Sequence, residues 1–171
     1  MSTKISGDTG IDVAQLRPAD GDPVAMTIAA DGKVAFPQNP VPAFIATVNT
    51  QAIAGGVVTI LTCTETFDPL NQFADNKFTP QVAGLYQVNA NLANNISDNW
   101  CGAYLYKNGV QFAINIVPGL PAPLGGSARP CISQLVSMNG TTDYLNVAGY
   151  NSIDGFSINS GLFSAALVRA A

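Results

Sequence analysis

The chain has 171 residues, of which 11% are charged and 47% hydrophobic, and a formal net charge of −4. Seven basic residues scattered against eleven acidic ones exclude a phosphate-neutralising nucleic-acid surface. The absence of histidine excludes Ser-His-Asp and Cys-His nucleophile systems and imidazole metal sites.

The opening Met1-Ser2-Thr3-Lys4-Ile5 carries no apolar secretion core, and no apolar run approaches the ~20 residues of a membrane-spanning helix. A protein of this kind that acts outside a cell is expected to travel there as part of a particle. The first forty residues hold short alternating β runs at Thr9–Val13 and Val24–Ile28. Asp31-Gly32 is a hairpin turn signal before Lys33-Val34-Ala35-Phe36. Such a hairpin is too small to stand alone. Pro37, Pro40 and Pro42 then mark an extended hinge. Residues 1–41 are therefore expected to be a β stalk or collar docking on sister copies or on a larger particle, and 42–171 a separate domain. Asp-Gly-Lys-Val runs of this kind resemble the repeats that precede the tips of phage tail fibres and virion appendages, a resemblance that implies other virion proteins as partners of residues 1–41, production in the host cytoplasm and carriage on a virion.

Beyond the hinge, strand signals recur at 43–49, 57–63, 84–92, 101–107, 110–117, 130–138, 142–150 and 161–169, the spacing of a β-sandwich. Within 84–92, Tyr86, Val88, Ala90 and Leu92 share one face, opposite Gln87, Asn89 and Asn91. Asn108-Gly109 predicts a type I′ hairpin, and Asn139-Gly140 predicts another between 130–138 and 142–150. No helical periodicity of useful length exists, so the fold class is all-β. Cys63, Cys101 and Cys131 fall in strand-like stretches without Cys-x-x-Cys spacing. They read as small buried hydrophobes, with one intrachain pair plus a spare thiol as the alternative.

Asn76 to Val88, with Phe78-Thr79-Pro80 and Gly84-Leu85-Tyr86, forms a compact β signature. In the same order along the chain stand Pro42-Ala43-Phe44-Ile45-Ala46, Phe67-Asp68, Ala103 to Gly109, and Ser160 to Leu167. Together these segments resemble the globular head domain of the first complement component (subcomponent q) and its tumour-necrosis-factor-like relatives. The resemblance covers residues 42–171. It departs at Asn139 to Asp143, where the family has a Gly-Asp turn, at Ala165, where it has Gly, and in lacking a collagen tract. It implies a ten-stranded jelly roll closing as a homotrimer. With that implication, Tyr86, Phe112, Ile114, Phe163 and Leu167 are the expected trimer-interface residues. The 112–117 and 162–168 stretches are apolar on both faces and must be covered twice.

Catalytic equipment is poor. Glu65 is the only glutamate, and Asp68, Asp75, Asp98, Asp143 and Asp154 each sit beside turn residues, where Asp serves the backbone. No enzyme activity is expected and no catalytic residue is assigned. Asn94 to Asn99 offers many oxygens and one charge, so calcium at Asp98, gathered across a threefold axis, is the only cofactor the sequence suggests; a solvated Asn-rich loop is the plainer reading. Trp100, the single tryptophan, is either core at a strand start or a stacking platform for polysaccharide. Asn95, Asp98, Asn99, Trp100 and Tyr150 are the candidate ligand-contact residues, on connections of a rigid scaffold. The expected function is a non-enzymatic trimeric virion appendage, a tail-fibre tip or spike, touching a host surface glycan or protein. A capsid decoration or head-fibre protein without host ligand, and a bacterial surface adhesin, are the alternatives.

Overall fold

A computed structural model describes residues 41–94, 99–119 and 128–171, and the backbone of 27–28 and 34–35. The chain divides into two units, Met1–Asn39 and Pro40–Ala171. In the first, β1 (Thr27–Ile28) and β2 (Val34–Ala35) pair antiparallel on either side of the Asp31-Gly32 signal. The Thr9–Val13 run and the hinge residues Pro37 and Pro40 lie outside the described residues.

The second unit is two antiparallel sheets facing each other. One has the order β11-β10-β13-β8-β7, with β5 also paired to β13; the other has the order β12-β9-β14-β3-β6, with β4 also paired to β14. Ten strands thus form the two main paths. In the first sheet β10 is Trp100–Lys107, β11 Val110–Pro118, β13 Leu145–Asn151, β8 Lys77–Phe78, β7 Phe73–Ala74 and β5 Thr59–Ile60. In the second β12 is Cys131–Met138, β9 Gly84–Asn94, β14 Ser157–Ala170, β3 Ala43–Val48, β6 Cys63–Phe67 and β4 Gln51–Ala52. No described residue is helical.

The alternation expected of β9 is present in full: Tyr86, Val88, Ala90 and Leu92 are buried between the sheets. The core is organised on aromatic rings. Phe44 stacks on Phe78 at 4.4 Å and on Phe73 at 4.9 Å, and Phe163 meets it edge-on at 4.8 Å. Tyr86 closes the cluster against Phe78 and donates its hydroxyl to Val82 O at 2.7 Å. Burial pushes the Tyr86 phenol up to about 12. The Phe78 and Tyr86 of the motif that carries the resemblance are therefore central packing residues.

Asn108 and Gly109, both at positive φ, make the type I′ hairpin joining β10 to β11. A second turn of that kind, Asp75-Asn76, joins β7 to β8 with no glycine at all, since Asn and Asp tolerate the left-handed region. The Asn139-Gly140 expectation is corrected. β12 and β13 lie in different sheets, so this connection is a crossover and no hairpin forms. The Asn139 side-chain oxygen accepts from the backbone N–H groups of Thr141, Thr142 and Asp143 at 2.9–3.0 Å, turning the chain out of its sheet. Gly140, at positive φ, lies where a Cβ would stand 2.3 Å from Ala83 N, so no other residue fits the crossing.

The crossover is clasped to the β10–β11 hairpin by charge. Lys107 Nζ pairs with Asp143 at 2.9 Å and donates to Ser137 O at 2.6 Å, while Asn108 Nδ2 donates to the same carboxylate at 2.7 Å. The Asn108 and Lys107 hydrogen bonds hold the Asp143 carboxyl below its ordinary range. A depressed folded-state value means the stabilisation is complete above the unfolded carboxyl pKa of about 3.9 and disappears as pH falls through the folded value. Asp143→Asn is expected to flatten the acid limb of the stability–pH curve below about pH 4 and to leave its shape unchanged near neutrality, as read by thermal melts from pH 2 to 7.

Candidate functional site

The charge pattern of the sandwich isolates the surfaces where contact with another molecule costs little desolvation. β3, β9, β11, β12 and β13 contain no charged residue. β10 and β14 carry one each, Lys107 and Arg169, both close to the strand ends. Two sheet faces and one loop end stand out.

On the first sheet, an apolar row crosses four strands through paired positions: Ile60, Ala148, Tyr104 and Ile114. The next row holds Tyr150, Gly102 and Ile116. Phe112 and Ile114 are 46% and 45% exposed on the edge strand, while Ala113 and Val117 behind them pack on the core. The double-sided apolar character read from 112–117 is thus real, and no described residue covers its outer side. Tyr104 is nearly covered and sits 6.3 Å from Tyr150, ring to ring. Burial first, then the neighbouring Tyr150 and Tyr106, raise its phenol pKa.

On the second sheet the outward rows are amides and small residues. Ser133, Asn89, Ser164, Ile45 and Phe67 run in register across five strands. Ser133 Oγ donates to Asn89 Oδ1 at 2.8 Å, and Gln87 Nε2 donates to Ser133 Oγ at 3.0 Å. Because Ser164 and Ala166 are short, the face dips between Ile45 and Phe67 on one side and Gln87 and Asn89 on the other, a concavity of about 240 Å³.

Two of the expected interface residues are corrected here. Tyr86 and Phe163 are fully buried in the chain's own core and present no side chain to a partner. Leu167 packs partly against that core. The outward residues of β9 and β14 are instead Gln87, Asn89, Asn91, Leu162, Ser164 and Ala166. Cys131 is also exposed, at odds with the buried-hydrophobe reading, while Cys101 is buried, Cys63 half-buried, and all three are free.

The loop end gathers the ligand-contact candidates that fall among the described residues. Trp100 is 54% exposed. Its N–H donates to Ser152 Oγ at 2.9 Å, and its carbonyl accepts from Ser152 N–H at 2.9 Å, fixing the start of β10 to the end of β13. Gly55 N–H donates to Asp154 Oδ1 at 2.6 Å, drawing in the segment before β5. At Gly55 a Cβ would stand 2.3 Å from Asp154 N, so the approach is restricted to glycine. Asn99 O accepts from Gly119 N–H at 2.6 Å. Tyr150 pairs with Gly102 in the adjoining register, on the same outward face as Trp100. Asn95 and Asp98, with the calcium reading attached to Asp98, lie outside the described residues. Among the described residues no three His, Cys, Asp or Glu side chains converge as metal ligands. Asp154 serves the backbone here, as its place beside turn residues predicts, whereas the sequence reading did not single out Ser152.

No protein-family model matches the chain, and no curated protein matches it. Solved structures do. The globular domain of zebrafish complement 1qA protein superposes with a TM-score of 0.58 at 15% identity, covering 77% of this chain and 99% of that one. Murine APRIL gives 0.55 at 9% identity over 74% and 99%. PRD1 vertex protein P5 gives 0.57 at 17% identity over 75% and 98%. The fold is the jelly roll of complement heads and tumour-necrosis-factor-like proteins, as the motif between Asn76 and Val88 implies.

Proposed function

We propose that the chain is the non-enzymatic, trimeric building block of a virion appendage whose loop end, around Trp100, touches a host-surface glycan or protein. The observation that carries the trimer is the pair of uncovered, charge-free faces on one chain. Covering the exposed apolar side chains of β11 gains hydrophobic free energy without desolvating a charge, and the amides of the second face keep their hydrogen bonds to one another when covered. Two unlike faces join head to tail and close into a ring: the edge of β11, with Phe112 and Ile114, seats against the Ser164–Ala166 concavity of the next copy. The count of three follows the resemblance to complement heads. The likeness to a vertex protein supports placement on a virion, with residues 1–41 joining the other virion proteins. Trp100 supports the contact role, because an exposed indole flanked by amides and hydroxyls stacks on sugar faces while its neighbours hydrogen-bond hydroxyls.

The test is attachment of fluorescently labelled protein to a panel of bacteria, with and without calcium. Saturable binding to some strains, abolished in Trp100→Ala and by enzymatic removal of surface polysaccharide, is the expected result. A correctly assembled trimer that attaches to no strain would transfer the function to shell decoration, in which the first forty residues are the working end.

A further inference from the structure

Directly beneath the Trp100 end lies a polar knot in the core, apart from the other buried polar side chains Asp68, Gln72 and Asn146. Asn94, the last residue of β9, and Asn151, the last of β13, come from opposite sheets and are 2% and 0% exposed. Asn94 Nδ2 donates to Asn151 Oδ1 and reaches Cys101 Sγ at 3.3 Å. Asn94 Oδ1 and Asn151 Nδ2 are buried and have no hydrogen-bond partner among the described residues. The backbone of the same residues ties down the surrounding connections. Asn94 exchanges both hydrogen bonds with Ala128 at 3.0 Å, Asn151 O accepts from Gly56 N–H at 2.7 Å, and Trp100 and Ser152, each next in sequence to a member of the knot, bond one another.

We infer that Asn94 and Asn151 are positioning residues: their amide contact across the two sheets, with Cys101 as third member, sets where Trp100 and Ser152 stand. Hydrocarbon contacts are non-directional and tolerate sliding of one sheet over the other. An amide pair is directional, so it fixes one separation and one register at this end of the sandwich only. A pair that leaves an acceptor and a donor unmatched contributes less to stability than hydrocarbon of equal size, so its use lies in geometry. That this geometry serves ligand contact rests on the proposed function; the positioning itself does not.

The experiment uses the full chain in a Cys63→Ser, Cys131→Ser background, so that the only thiol is Cys101 and the only indole Trp100. In the Asn94→Leu/Asn151→Leu double variant, sheet circular dichroism is expected to persist while the Trp100 emission maximum and acrylamide quenching change. Cys101 alkylation should accelerate by about tenfold or more as the end opens locally. Each single variant, which strands one buried amide, is expected to melt lower than the double. A double variant with parental emission, quenching and alkylation rate would reduce the pair to filler and overturn the inference. Should the double variant not fold, the unsubstituted pair still decides. In low denaturant, Cys101 alkylation and hydrogen exchange at Trp100 and Ser152 are expected to share one opening free energy. Protection of Cys101 up to global unfolding, with those amides exchanging locally, would overturn it. Attachment to bacteria is scored separately. Altered emission in a protein whose parent attaches to nothing removes the host-contact reading and keeps the positioning.

Discussion

Phe44→Ala is expected to cost about 3–5 kcal/mol of folding free energy, the range for removing a fully buried phenylalanine. The upper part of that range applies because Phe44 is the hub of the ring cluster. It contacts Phe73, Phe78 and Phe163 at centroid separations of 4.4–4.9 Å, and those three rings come from both sheets. Its loss leaves a cavity whose walls are held by strand pairing on both sides and collapse little. Against a typical domain stability of about 5–15 kcal/mol, the variant should be marginal or unfolded at 37 °C. Urea denaturation followed by circular dichroism checks this. A loss below about 1 kcal/mol would mean that the rings repack around the gap and that the two sheets are held chiefly elsewhere.

The second large effect concerns assembly. Ser164→Arg places a guanidinium in the centre of the concavity on the β9–β14–β3 face, between Asn89 and Ile45 in register. In a free chain the long side chain extends into water and the fold is unaffected. In the assembly it would bury an unpaired charge, a cost of several kcal/mol per contact repeated around the ring. Sedimentation equilibrium is expected to show a folded monomer for Ser164→Arg and a trimer for the parent. Phe112→Arg, on the other member of the proposed contact, should give the same result. A trimer that survives Ser164→Arg but not Phe112→Arg would leave β11 in the interface and remove the concavity from it.

The sequence discloses the sandwich where strands are long and their two faces differ in polarity. β9 is legible because its inward residues are apolar and its outward ones are amides. β14 is not, because Phe163 and Leu167 alternate with Leu162 and Val168, and periodicity states which residues share a face without stating which face points inward. That ambiguity placed Phe163 in an interface when it belongs to the core. Strands β5, β7 and β8 are two residues each, too short for any period, and the Asp75-Asn76 turn lacks the glycine that advertises such turns. Asn139-Gly140 carries the composition of a hairpin, yet its asparagine caps three backbone N–H groups and redirects the chain between sheets. At the loop end, Trp100 stands out in the sequence as the single tryptophan, a distinction that carries no information on its surroundings. Ser152 and Asp154 act through pairings with residues fifty-two and ninety-nine positions away, which no local pattern records. The Asn94–Asn151 contact spans fifty-seven positions and exists only because two sheet ends meet.

The placement of β14 has a consequence for biosynthesis. This strand lies between β9 and β3, pairing with β9 over most of its length and with β3 from Gly161 to Ala166, so the second sheet is divided until residues 157–170 are available. A nascent chain emerging from the ribosome would hold β3 and β9 as separate open edges, the arrangement that invites pairing with neighbouring nascent chains. The decisive step in folding this domain therefore waits for β14. The low charge of these strands makes that interval the hazardous one, so chaperone supply and synthesis rate, more than final stability, should govern the yield of native protein.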